Sequence, residues 1–317
     1  MWAVGGTHPF TYTDPALEGD LVRWIHKIRQ GYGGMLVKIK VLSLAILVPL
    51  IVACQSSTQQ GNALPEEGSE AIALEPRLPT GVHLQALYQI PDVIEGEVSS
   101  QDEMRYLLYL PEGYWEDPDK LWPMIFFLHG AGDGEFDSTY VLSMGLPAVL
   151  YLGEQPEDFP FIVVSPQAFP GSAWWTGDTL PILNALLGEV IETYQVDPDR
   201  VYLTGLSMGG YGSWFLATAY PERFAAMVSV SGSGYRTNFI PEEETLCRLK
   251  DVPVWAIHGA LDVISAPEAS KLFASALQVT CGVEVKWTMY DDLGHGGAYD
   301  RAYRDPELYA WMLEQSR

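Results

Sequence analysis

From about residue 80 onward the chain alternates short runs that are apolar at nearly every position with longer stretches of helical apolar spacing, and that order leaves few folds open. A strand with one solvated face alternates apolar and polar residues, whereas a strand covered on both faces does not. "WPMIFFLHG" (122–130), "FIVVSP" (161–166), "RVYLTG" (200–205), "AAMVSVSG" (225–232) and "VPVWAIHG" (252–259) are of the second kind. "MRYLLYLP" (104–111) precedes them and "VEVKWTMY" (283–290) follows. Helices are predicted over 139–152, 180–195, 208–220, 267–278 and 306–315. The pattern is that of one α/β domain over 81–317, a mostly parallel central sheet with helices on both faces. A hydrophobic content of 48% is enough to fill its core.

The first 80 residues have a different character. "MLVKIKVLSLAILVPLIVAC" (35–54) has a basic end at Lys38 and Lys40, an apolar run too short to span a bilayer comfortably, and a small residue before a cysteine. It reads as a secretory signal over 35–53. Its end, Ile51-Val52-Ala53-Cys54, resembles a bacterial lipobox, in which the cysteine is lipidated and becomes the new N-terminus. Residues 1–34 would then be an upstream extension with translation starting at Met35, and the polar stretch 54–80 a tether. The expected location is the bacterial cell envelope, periplasm or cell surface, held by a lipid on Cys54. A formal charge of -23 opposes a nucleic-acid partner.

With Cys54 assigned to the lipid, two of the three cysteines remain. Cys247 and Cys281 each precede a predicted strand, which places both at the amino edge of the sheet, and an exported compartment lets a disulfide persist. A structural Cys247–Cys281 bridge is expected, with two free buried thiols as the alternative.

Ser207 lies in Gly205-Leu206-Ser207-Met208-Gly209, where a β-branched strand meets a helical pattern. Glycines relieve crowding at such a corner, and the helix N-terminus favours developing negative charge. A serine hydroxyl needs a base to attack anything, and the base needs an orienting acid. His295, in the glycine-rich loop "DDLGHGGAYD" after the last strand, reaches the same carboxyl edge; His129 and His258 end strands and are better suited to ordering their loops. Asp262, in "HGALDVIS", is the candidate acid, giving the order Ser207, Asp262, His295. The backbone N–H of Met208 and that of Ala131, in "HGAGDGE" (129–135), are the candidate oxyanion donors.

Together, "RVYLTGLSMGGYGSWFLATAYPERFAAMVSVSGSG", "VPVWAIHGALDVIS" and "LGHGGAYDRAYRDPELYAWM" resemble the exported bacterial carboxylesterases of the α/β-hydrolase fold, relatives of feruloyl esterases and polyester depolymerases that are often labelled prolyl-oligopeptidase-like peptidases. The likeness runs from about residue 85 to the C-terminus. It implies a Ser207-Asp262-His295 triad, an oxyanion hole at Met208 and Ala131, and ester hydrolysis through an acyl-enzyme. Gly296 and Gly297 depart from it, since relatives often carry a bulkier polar residue and a tryptophan there.

"SPQAFPGSAWWTGD" (165–178) is placed to line the pocket, with Trp174 and Trp175 as substrate contacts or as a plug beneath that loop. Residues 233–250 are too few for a large lid, which favours short-chain, aryl or carbohydrate-linked esters. A serine peptidase and a non-catalytic binding protein of the same fold are the other readings. Neither cofactor nor metal is expected, as no H-E-x-x-H, cysteine cluster or calcium-loop spacing is present.

Overall fold

In the computed structural model, which describes residues 77–132, 138–233 and 241–317, ten strands are found among the described residues. They are β1 (His83–Gln89), β2 (Val93–Ile94), β3 (Glu97–Val98), β4 (Glu103–Tyr109), β5 (Trp122–Leu128), β6 (Ile162–Pro166), β7 (Val196–Leu206), β8 (Ala226–Val230), β9 (Val254–Gly259) and β10 (Val285–Tyr290). Eight form one sheet in the order β1-β4-β6-β5-β7-β8-β9-β10, while β2 and β3 pair separately. From β6 to β10 every neighbouring pair is parallel; β1 and β4 join antiparallel at one edge.

The continuous apolar runs are central strands. All residues of β5, β6, β8 and β9 are buried, and successive side chains feed two cores on opposite sides of the sheet. Met124, Phe126 and Leu128 join one core; Ile125 and Phe127 join the other. Each such side chain contributes about 1.5–3 kcal/mol of burial.

The helices are α1 (Ser138–Val141), α2 (Gly145–Leu152), α3 (Thr179–Thr193), α4 (Met208–Ala219), α5 (Glu243–Leu246), α6 (Pro267–Ala276), α7 (His295–Ala302) and α8 (Pro306–Leu313). Two differ from the sequence expectation. The helix predicted over 139–152 is split into α1 and α2 at Gly145, whose φ of 62° lies in the left-handed region and interrupts a right-handed helix. The loop expected around His295 is helical, His295 being the first residue of α7. β1 was not among the predicted strands because it is a partly exposed edge strand with no continuous apolar run.

A disulfide joins Cys247 to Cys281, with Cα atoms 5.2 Å apart, ahead of β9 and β10. The expectations for residues 1–34, 35–53 and Cys54 lie outside the described residues. At the end of the proposed tether, Trp115 Nε1 donates to the Leu78 carbonyl at 2.8 Å.

Candidate active site

Ser207 stands between β7 and α4 with φ 52° and ψ -117°. That conformation costs a non-glycine residue about 1–3 kcal/mol and lifts its side chain out of the turn. The neighbouring backbone packs too closely for ordinary side chains. A Cβ on Gly209 would run into the Leu128 carbonyl at the end of β5, and one on Gly205 into the carbonyl of Gly209. Glycine at both positions lets α4 start directly against the sheet.

Ser207 Oγ lies 2.9 Å from His295 Nε2, and His295 Nδ1 lies 2.7 Å from Asp262 Oδ2. His295 is half-buried and the Asp262 side chain is fully buried. The geometry fits one tautomer: Nδ1–H donates to Asp262, leaving the Nε2 lone pair to accept from the Ser207 hydroxyl. Asp262 Oδ1 accepts from the backbone N–H groups of Ile264 and Ser265, each at 2.9 Å. Burial alone would raise the Asp262 pKa. Hydrogen bonds from His258, His295 and Ser265, together with the charge interaction with His295, outweigh it and hold the carboxyl well below its usual value.

His258, expected to order its loop, does so and also joins this group through the Asp262 carboxylate, a contact that the sequence reading did not assign. Its Nε2 lies 3.0 Å from Asp262 Oδ2 and 2.9 Å from the Ser265 carbonyl, and its Nδ1 is 2.9 Å from Ser270 Oγ. Nε2 faces two acceptors and so carries a proton, while Ser270 O–H donates to the Gly232 carbonyl at 2.8 Å. The available signal was the spacing in "HGALD", which puts His258 four residues before Asp262 across a tight turn.

The end of β5 meets the serine from the other side. A Cβ on Gly130 would sit 3.5 Å from Ser207 Cβ. His129 is buried and orders this segment: its Nε2 accepts from Ala168 N–H at 3.0 Å, so its Nδ1–H donates to the Gly130 carbonyl at 2.7 Å. Burial pushes the His129 pKa down to about 4, partly offset by the Gly130 hydrogen bond. Tyr140 O–H donates to the Ala131 carbonyl. The trans peptide points Ala131 N–H opposite the anchored Gly130 carbonyl, away from the His129 ring. Met208 N–H, first in α4, has no acceptor within the helix.

The two tryptophans separate. Trp174 is fully buried, donates from Nε1 to the His129 carbonyl at 2.9 Å, and packs over Gly212 of α4. The expectation that it contacts substrate is therefore corrected: with no exposed surface, it holds the 165–178 loop to the core. Trp175 is half-buried, stacked on Phe215 with ring centres 5.4 Å apart and 6.0 Å from Tyr211. Tyr211 O–H is 3.0 Å from Ser265 Oγ, linking these rings to the Asp262 loop. On that loop Leu261, Val263 and Ile264 are 61%, 95% and 68% exposed.

A family model described as "Putative esterase" matches residues 98–264, which include Ser207 and Asp262. The chain belongs to this esterase family. Among curated relatives of the esterase, "Probable feruloyl esterase C" of Aspergillus terreus is 31% identical over 130 residues, 40% of this chain and 46% of that protein. "Feruloyl esterase B" of Talaromyces funiculosus is 45% identical over 58 residues, 18% of this chain and 16% of that protein. The matched segment is thus under half the length of either relative. A solved thermostable esterase superposes with a TM-score of 0.56 at 27% identity, covering 74% of this chain and 63% of its own. The shared architecture is the α/β-hydrolase fold.

Proposed function

We propose that this member of the esterase family hydrolyses carboxylic esters through Ser207, His295 and Asp262. The observation that carries the proposal is the unbroken run of contacts from Ser207 Oγ through both His295 nitrogens to Asp262, at 2.9 and 2.7 Å. Ser207 Oγ attacks the ester carbonyl while His295 Nε2 takes its proton. Asp262 keeps Nδ1 protonated and stabilises the imidazolium. The carbonyl oxygen becomes an oxyanion held by the N–H groups of Met208 and Ala131, a type of contact worth about 10²- to 10³-fold in rate per donor. His295 then gives its proton to the departing alkoxide, leaving an acyl-serine and free alcohol. Water, deprotonated by the same nitrogen, releases the acid and restores Ser207.

Ester hydrolysis is preferred to peptide hydrolysis because the family match is to an esterase. The half-buried Trp175 and Tyr211 and the exposed Leu261, Val263 and Ile264 favour esters with aryl or other apolar groups. Attachment to the cell envelope through a lipidated Cys54 completes the reading and rests on the sequence alone. Ser207→Ala tests the chemistry. Turnover of p-nitrophenyl acetate and covalent labelling by a fluorophosphonate probe should both disappear, and turnover at the unsubstituted rate would refute the assignment. Methyl ferulate, acetylated xylan, a triglyceride and a proline-containing peptide, offered side by side, would rank the substrates.

A further inference from the structure

Ala131 offers its N–H to the oxyanion from a segment that the sheet does not hold. β5 ends at Leu128, and among the described residues no backbone–backbone hydrogen bond reaches Gly130, Ala131 or Gly132. A donor in an oxyanion hole is effective only when its direction is fixed before the charge forms. Ala131 N–H lies in the peptide plane of the Gly130 carbonyl, and the next plane carries the Ala131 carbonyl. Holding both carbonyls leaves the N–H no freedom to turn, so the task falls to side chains.

His129 holds the first plane, through Nδ1–H on the Gly130 carbonyl at 2.7 Å. Tyr140 holds the second. Its O–H donates to the Ala131 carbonyl, and the same oxygen lies 3.4 Å from the Gly130 carbonyl oxygen. The phenol ring meets the His129 imidazole edge-on, with ring centres 5.6 Å apart. It also fills the space beside Gly132, where a Cβ would run into it. Tyr140 is itself anchored from behind: its carbonyl accepts from Ser143 O–H at 2.6 Å and from Ser143 N–H at 3.0 Å, and its neighbour Val141 is buried. The segment so clamped lies against the nucleophile, since a Cβ on Gly130 would be 3.5 Å from Ser207 Cβ.

We propose that Tyr140 is a positioning residue for ester hydrolysis: its hydroxyl, acting through the Ala131 carbonyl, keeps Ala131 N–H aimed at the oxyanion. The proposal rests on the esterase reading of Ser207. A ground-state ester carbonyl carries little charge and gains little from an aligned donor, whereas the tetrahedral oxyanion gains most. Loss of the hydroxyl therefore acts on kcat rather than on KM.

Tyr140→Phe keeps the ring against His129 and Gly132 and removes only the hydroxyl. With p-nitrophenyl acetate, kcat per fluorophosphonate-titrated site should fall about tenfold, less than the 10²- to 10³-fold that follows outright loss of a donor, while KM changes by less than about twofold. A trifluoromethyl ketone reports on the hole separately. Ser207 Oγ bonds to its carbonyl carbon, the hydroxyl proton passes to His295 Nε2, and the carbonyl oxygen becomes an oxyanion facing Met208 and Ala131. Its Ki should rise by the same factor by which kcat/KM falls. A merely structural Tyr140 would lower stability and the titratable fraction while leaving kcat per titrated site and Ki as in the unsubstituted enzyme; that result would overturn the proposal. A fall in kcat with Ki unchanged, or a loss carried by KM alone, would overturn it as well. Absence of both acetate turnover and fluorophosphonate labelling in the unsubstituted enzyme would overturn the esterase reading instead.

Discussion

His258 shares a carboxylate oxygen of Asp262 with His295: its Nε2 lies 3.0 Å from Oδ2, and His295 Nδ1 lies 2.7 Å from the same atom. Two N–H donors on one oxygen spread its negative charge and fix the direction from which the carboxylate meets His295. His258→Leu removes one donor and leaves the Ser265 carbonyl without that partner. The expected result is a fall in kcat of about tenfold or more with little change in KM. A purely structural role would lower stability and active fraction and leave kcat per fluorophosphonate-titrated site unchanged.

The close start of α4 gives a second prediction. Gly209→Ala puts a methyl group where the Leu128 carbonyl stands, in a backbone held by β5 and β7. Because the obstacle is backbone, relief requires α4 to move, and that movement carries Ser207 and Met208 with it. A loss of about 3 kcal/mol in urea-induced unfolding is expected, together with a fall in kcat larger than any change in KM.

Trp174 and Trp175 mark where the sequence stopped being informative. Continuous apolar runs identified the central strands, and the turn residues around Ser207, Asp262 and His295 identified the carboxyl edge, because burial and backbone geometry leave local traces in residue choice. Which of two adjacent tryptophans faces the core depends on α4 crossing above them at Gly212, a contact between residues 38 positions apart. The second imidazole on Asp262 was obscure for the same reason: "HGALD" shows the spacing, but only the turn after β9 folds His258 back. The expected outcome is therefore opposite for the pair. Trp174→Ala should destabilise the fold by about 3–5 kcal/mol, measured by chemical unfolding. Trp175→Ala should cost less, about 1 kcal/mol for its stacking on Phe215, and raise KM for aryl esters several-fold.

The Cys247–Cys281 bridge closes a loop with a sequence separation of 34 at the edge of the sheet away from Ser207. Such a cross-link stabilises mainly by restricting the unfolded chain, here by about 3–4 kcal/mol. Replacing both cysteines by serine should lower the free energy of urea-induced unfolding by that amount, with a matching fall in the urea midpoint. The kcat for p-nitrophenyl acetate at a temperature where the variant is folded should stay as it was.

Acid sensitivity follows from one buried and one half-buried imidazole, His129 and His83. Burial lowers the pKa of His83 and of His129 from 6.5 to about 4, against smaller opposing hydrogen bonds to Pro147 and Gly130. Between those values the unfolded chain binds protons that the folded chain does not, so unfolding becomes easier as pH falls. The full contribution of both residues is present above about pH 6.5, is lost progressively toward pH 4, and stays flat below it. His83 is the better residue to test, since His129 also orders the segment beside Ser207. The His83 ring packs against Tyr109 at 5.7 Å, and a phenylalanine can fill that space without titrating. His83→Phe loses the hydrogen bond to the Pro147 carbonyl and should cost about 1 kcal/mol at pH 7.5. It should also flatten the decline of Tm between pH 6.5 and 4, so that the variant and the parent converge on acidification. Parallel Tm curves across that range would show that His83 takes up no proton on unfolding.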